Sequence, residues 1–191
     1  MKKILFVIAL MCTVLNVSAQ DDAKWSIKVG VGLSGAAGSD SDGLKSAFSY
    51  KAGVGYEFGI SENFAIEPAL MLSNKAIKDE GIDGTLNRYF IELPIMAAYK
   101  IALGDETKLI INAGPVVSYG IFGNDIEWDD SYETTNVFDV CERFEAGVQA
   151  GVKVAFGNLS VGAEFNRAFT KAIKEAKVYS QSFGLTFGYS F

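Results

Sequence analysis

From residue 25 to residue 191, apolar and polar side chains alternate with a period of two, and the pattern recurs eight times. The segments are Trp25–Ser34, Phe48–Ile60, Phe64–Lys75, Arg88–Ile101, Leu109–Phe122, Arg143–Phe156, Leu159–Thr170 and Tyr179–Phe191. This period places alternate side chains on opposite faces of an extended strand. The connections alternate in length. Ser61–Asn63, Ala102–Lys108 and Gly157–Asn158 are short, whereas Gly35–Ala47, Ala76–Asn87, Gly123–Glu142 and Lys171–Val178 are longer. An even number of antiparallel strands, with short turns at one end and long loops at the other, predicts an all-β fold. The expected fold is an eight-stranded antiparallel up-and-down transmembrane β-barrel.

The first nineteen residues are read separately. Lys2 and Lys3 precede an apolar run, Ile4–Leu15, that is too short to span a bilayer as a helix. Val17-Ser18-Ala19 supplies small residues for cleavage, so residues 1–19 are expected to be a cleaved signal peptide and 20–191 the barrel domain. Cys12 leaves with the leader, and Cys141 remains as a lone thiol, expected to be a small buried or rim residue.

One face of the segments is almost wholly apolar, as in Ile27, Val29, Val31 and Leu33; only Arg167 and Gln181 break it. Its aromatics gather at both edges. Trp25, Phe58, Phe64, Tyr99, Phe156, Tyr189 and Phe191 lie at the short-turn edge, and Phe48, Tyr50, Tyr89, Tyr119, Phe144 and Tyr179 toward the loops. Two aromatic girdles around an aliphatic band suit a bilayer with two interfaces. The opposite face carries five bases, Lys28, Lys51, Lys75, Lys100 and Lys153, and five acids, Glu57, Glu67, Glu92, Glu145 and Glu164. Lipid is a costly place for such groups, by about 2–4 kcal/mol for a midplane Lys or Arg, so they are expected to line the interior. There they would form a plug of paired charges rather than an open pore. A soluble secreted barrel with the aliphatic face turned inward, binding an apolar ligand, is the structural rival.

Gly157-Asn158 reads as a two-residue hairpin turn, which sets Phe156 opposite Leu159 and Lys153 opposite Gly162. On that register Lys153 and Glu164 are diagonal neighbours and are expected to form a salt bridge. A turn at Ser61–Asn63 places Glu57 opposite Glu67. Facing carboxylates suit acid–base catalysis, but lysines on flanking strands favour plain neutralisation. Pro68, Pro94 and Pro115 fall inside strands and require bulges or unpaired positions.

The net charge of −6 opposes nucleic-acid binding, and the absence of histidine removes Ser-His and Cys-His nucleophile pairs. No cofactor or metal site is expected. The loop Gly123–Glu142 is acidic, with Asp125, Glu127, Asp129 and Asp130 interleaved with Trp128 and Tyr132. Its spacing fails the EF-hand pattern, so a solvated acidic loop is expected, with its aromatics available to an unidentified surface ligand or protein. The last loop is basic, with Lys171, Lys174 and Lys177, and could pair with acidic loops or anionic lipid head groups.

The leader, the Gly-rich first strand, the segment Arg88-Tyr89-Phe90-Ile91-Glu92-Leu93-Pro94-Ile95 and the terminal Phe191 together resemble the PorT-like family of small outer-membrane barrels, of the OmpX/OmpA type. The resemblance implies location in the outer membrane of a diderm bacterium, contact with its lipid, and no single activity. Gly184–Phe191 looks like a β-signal, implying recognition by the barrel assembly machinery through the strand ending at Phe191. The expected role is non-enzymatic, structural or in surface interaction through extracellular loops, with both termini periplasmic. A narrow porin-like channel and a protein-secretion accessory barrel are the alternatives.

Overall fold

A computed structural model describes residues 24–79, 85–127 and 134–191; the expected leader and Trp128, Asp129, Asp130 and Tyr132 lie outside the described residues. The strands are β1 (Lys24–Gly38), β2 (Leu44–Gly59), β3 (Phe64–Asp79), β4 (Thr85–Ala102), β5 (Thr107–Gly123), β6 (Asp125–Glu127), β7 (Thr134–Asn136), β8 (Phe144–Phe156), β9 (Leu159–Ala168) and β10 (Val178–Ser190). A short helix, α1, spans Val137–Val140. Eight strands close into an antiparallel barrel in the order β1-β10-β9-β8-β5-β4-β3-β2, and β6 and β7 form a separate ribbon. The closing seam pairs β1 with β10 from Ser26↔Ser190 to Gly38↔Val178.

The aliphatic face points outward. Ile27, Val31, Leu72, Ile111, Val161 and Leu185 are all exposed, while Glu67, Glu92 and Glu145 are buried inside. This overturns the soluble rival. An eight-stranded barrel has a lumen only wide enough for side chains, and glycines make room for the long ones. A Cβ at Gly162 would lie 2.5 Å from Lys153 Cβ, and one at Gly30 would lie 3.2 Å from Lys51 Cγ. The edge aromatics interlock. Trp25 meets Tyr56 edge-on with ring centroids 4.9 Å apart, and Tyr89 stacks on Phe122 at 4.4 Å.

Several loop-side ends run past the apolar alternation, with β1 continuing to Gly38, β2 starting at Leu44, β3 continuing to Asp79 and β4 starting at Thr85. The backbone ladder outlasts the apolar pattern there: Lys45 pairs with Lys78, and Lys78 with Thr85. Beyond the lipid the outward positions no longer need to be apolar. The hairpin register read from Gly157-Asn158 is present, with Phe156↔Leu159 and Lys153↔Gly162.

The three prolines sit where the ladder lapses, without a change of register. Pro68 falls between the pairs Gly55↔Ala69 and Phe58↔Ile66. Pro94 falls between Pro68↔Ile95 and Met71↔Glu92. Pro115 falls between Pro94↔Val116 and Ala97↔Ala113. No bulge is needed at any of them; the two register shifts lie elsewhere, between Ser46 and Tyr50 and between Tyr89 and Phe90.

Candidate functional site

Strand alternation brings the ten charged residues of the polar face into the lumen, where they sort into clusters. Lys100 on β4 bonds to Glu57 on β2. Glu67 on β3 holds two ammonium groups, Lys153 at 2.8 Å and Lys28 at 3.2 Å. Lys51 on β2 pairs with Glu164 on β9, which also accepts a hydrogen bond from Gln149 Nε2 at 3.3 Å. Nearer the loops, Lys75 lies 2.8 Å from Glu92 and 2.9 Å from Glu145. Arg88 Nη1 donates to Glu145 Oε1 at 3.1 Å, and the Ser180 hydroxyl donates to the same oxygen at 2.7 Å. These last four charges are all buried, so each depends on its partners for stabilisation.

The expected Lys153–Glu164 bridge does not form. The register is correct and both side chains face the lumen, but Lys153 reaches across to Glu67 and Glu164 is held by Lys51. In a lumen just wide enough for side chains to fill, a long lysine side chain can reach a carboxylate on a distant strand. The register on either side of Glu57 and Glu67 places them opposite each other, and their lysines come from β1, β4 and β8. Arg88 joins the ten charged residues that the alternation sets inward. It shares the parity of Phe90 and Glu92 on β4, and that parity is the sequence signal for it, although Arg88 stands at the very start of its segment.

The loop-side mouth is capped. Asn136 accepts the Phe138 N–H through its side chain and starts α1, which directs Val137 and Phe138 into the barrel. Two glycines form their sockets. A Cβ at Gly120 would lie 2.3 Å from Phe138 Cε1, and one at Gly123 would lie 2.2 Å from Val137 Cγ1. Phe138, Val137, Cys141 and Phe90 make one apolar cluster, against which Leu86 and Ile173 pack. Phe90 meets Phe138 edge-on and has Lys75 Nζ 4.6 Å from its ring centroid. Arg143 lies 4.4 Å above the Phe138 ring and donates to the Gly120 carbonyl.

The last loop fastens this cap. Cys141 bridges Ile173 in antiparallel fashion, and Lys174 Nζ donates to the carbonyls of Phe138 and Asp139. The basic loop therefore meets the acidic one through backbone oxygens. Asp40, in the first long loop, accepts the Lys177 N–H at 2.8 Å, which holds its carboxyl below the usual range. Burial pushes the Cys141 thiol up. Asp125 and Glu127 belong to β6, opposite Asn136 and Thr134. Among the described residues no three His, Cys, Asp or Glu side chains gather as metal ligands. A cavity of about 30 Å³ lies between Lys51, Ser73, Lys75, Glu92 and Glu164, with room for one or two waters.

The family model described as "Outer membrane protein beta-barrel domain" matches residues 4–191. Among solved structures, Neisserial surface protein A is 12% identical, with 90% of this chain and 100% of that chain covered at a TM-score of 0.54. The outer membrane enzyme PagL is 16% identical, with 86% and 98% covered at a TM-score of 0.57. These likenesses show the fold. No curated protein matches the sequence.

Proposed function

We propose that this chain, which belongs to the outer-membrane β-barrel family, is a non-enzymatic barrel whose lumen is sealed and whose long loops carry a structural or surface-interaction role. One observation carries the reading: an outward apolar belt surrounds a lumen filled by paired charges and capped by Phe138. The fold itself also serves an enzyme, PagL, so the argument rests on this chain's own residues. It has no histidine, and each of the five lumen carboxylates is bound to at least one cation. Those bonds tie the carboxylates to neighbouring side chains of the lumen instead of presenting them to a substrate.

The short turns and both ends of the barrel face the periplasm, and the long loops face outward. The leader is removed after Ala19, and the strand ending at Phe191 is read by the assembly machinery. Gel mobility of detergent-folded protein, unheated against boiled, tests the membrane barrel. A heat-dependent shift is expected, and loss of the shift with solubility in plain buffer refutes it. Planar-bilayer recording tests the sealed lumen. No unitary conductance is expected, and reproducible steps would establish a channel instead.

A further inference from the structure

A polar pair interrupts the lipid-facing wall between β9 and β10. Arg167 on β9 and Gln181 on β10 are register partners, and Arg167 Nη1 donates to Gln181 Oε1 at 3.1 Å. Both share the parity of the exposed Phe165 and Phe183, whereas Asn166 and Ser180 beside them are buried in the lumen. Arg167 therefore stands on the outside. One residue pair toward the turns, the wall consists of Phe165 and Phe183; toward the loops it carries the exposed Phe169 and the half-buried Tyr179. At about 3.3 Å per residue and about 40° tilt, Arg167 lies roughly 20 Å above Leu159. That is near the upper margin of an apolar band about 25 Å tall, where head groups begin.

We infer that Arg167, steadied by Gln181, is a binding site on the outer wall for the phosphate of an anionic lipid head group. A guanidinium presents five N–H donors, and the contact with Gln181 uses one. The Gln181 bond fixes the plane of the fork and leaves donors free for the two oxygens of a phosphate, the geometry in which arginine outperforms lysine. The flanking phenylalanines take the acyl chain beneath. This site rests on the membrane reading above and adds to it a named residue and a charge preference.

The test is native mass spectrometry of the full detergent-folded barrel titrated with phosphatidylglycerol, phosphatidylcholine or inorganic phosphate. The wild type is expected to take its first phosphatidylglycerol at least about tenfold more tightly than phosphatidylcholine, and to take no inorganic phosphate. Arg167→Gln removes that preference, Arg167→Lys keeps part of it, and Gln181→Leu weakens it while the heat-dependent gel shift remains. Equal affinity for the two lipids in the wild type overturns the site, as does an unchanged preference in Arg167→Gln. Loss of the preference in Lys171→Gln or Lys177→Gln, with Arg167→Gln unaffected, overturns it in favour of the loop rim. A barrel lacking the gel shift and soluble without detergent would fail at the membrane reading, which separates the two failures.

Discussion

The ammonium of Lys153 on β8 lies 2.8 Å from both carboxylate oxygens of Glu67 on β3, across the lumen and 86 residues away in the chain. Lys28 reaches the same carboxylate from β1. Glu67 is thus the shared anion of two lysines, and the arrangement is asymmetric. Glu67→Gln strands two cations in a narrow lumen and should cost about 3–5 kcal/mol. Lys153→Met leaves Glu67 with Lys28 and should cost less, about 1.5–3 kcal/mol. Urea unfolding in detergent measures both, and equal losses would contradict the shared-anion arrangement.

Cys141 reports on the cap. Its thiol is buried under Ile173 and its ionisation is pushed up, so at pH 8 little thiolate is present and alkylation should be slow. Phe138→Ala, or Gly120→Val filling the Phe138 socket, should speed labelling at least about tenfold without removing the heat-dependent gel shift. Raising the pH should speed labelling of the wild type through the thiolate fraction, and the cap variants should need less of that increase. Equal rates in wild type and variants would mean that Phe138 does not hold the cap.

Secreted protein should begin at Gln20. Intact-mass measurement of protein purified from outer membranes checks this directly. Replacing Ala19 with Glu should leave the uncleaved precursor, because a charged side chain does not suit the small-residue cleavage site. A mature mass matching any other start would move the boundary.

Phe191 donates its backbone N–H to the Trp25 carbonyl at 2.9 Å and so takes part in closing the barrel. Deleting it should lower the amount in outer membranes several-fold in cells, while refolding in detergent still yields the compact, heat-shifted form. Equal loss in both settings would make the role of Phe191 one of plain stability rather than recognition during assembly.

Lumen and wall were legible because parity alone assigns a face: Ile27 and Lys28 cannot both point to lipid. The turn at Gly157-Asn158 also fixed a register without help from tertiary contacts. Ion-pair partners were not legible, since Lys153 chooses between Glu164 beside it and Glu67 opposite according to tilt and stagger around the whole barrel. The cap was equally hidden. Four residues, Val137–Val140, show no periodicity, and their sockets at Gly120 and Gly123 are glycines that in sequence read as ordinary strand-end residues.

The lapses beside Pro68, Pro94 and Pro115 fall on three successive seams, β2–β3, β3–β4 and β4–β5. The seams around the rest of the wall keep their pairs in unbroken succession. Such a cylinder is not equally stiff in every direction. Squeezed by lateral pressure in the bilayer, its cross-section would flatten first along the proline crease, while the continuous half holds its curvature. The barrel would yield there as a hinge line rather than as a uniform tube.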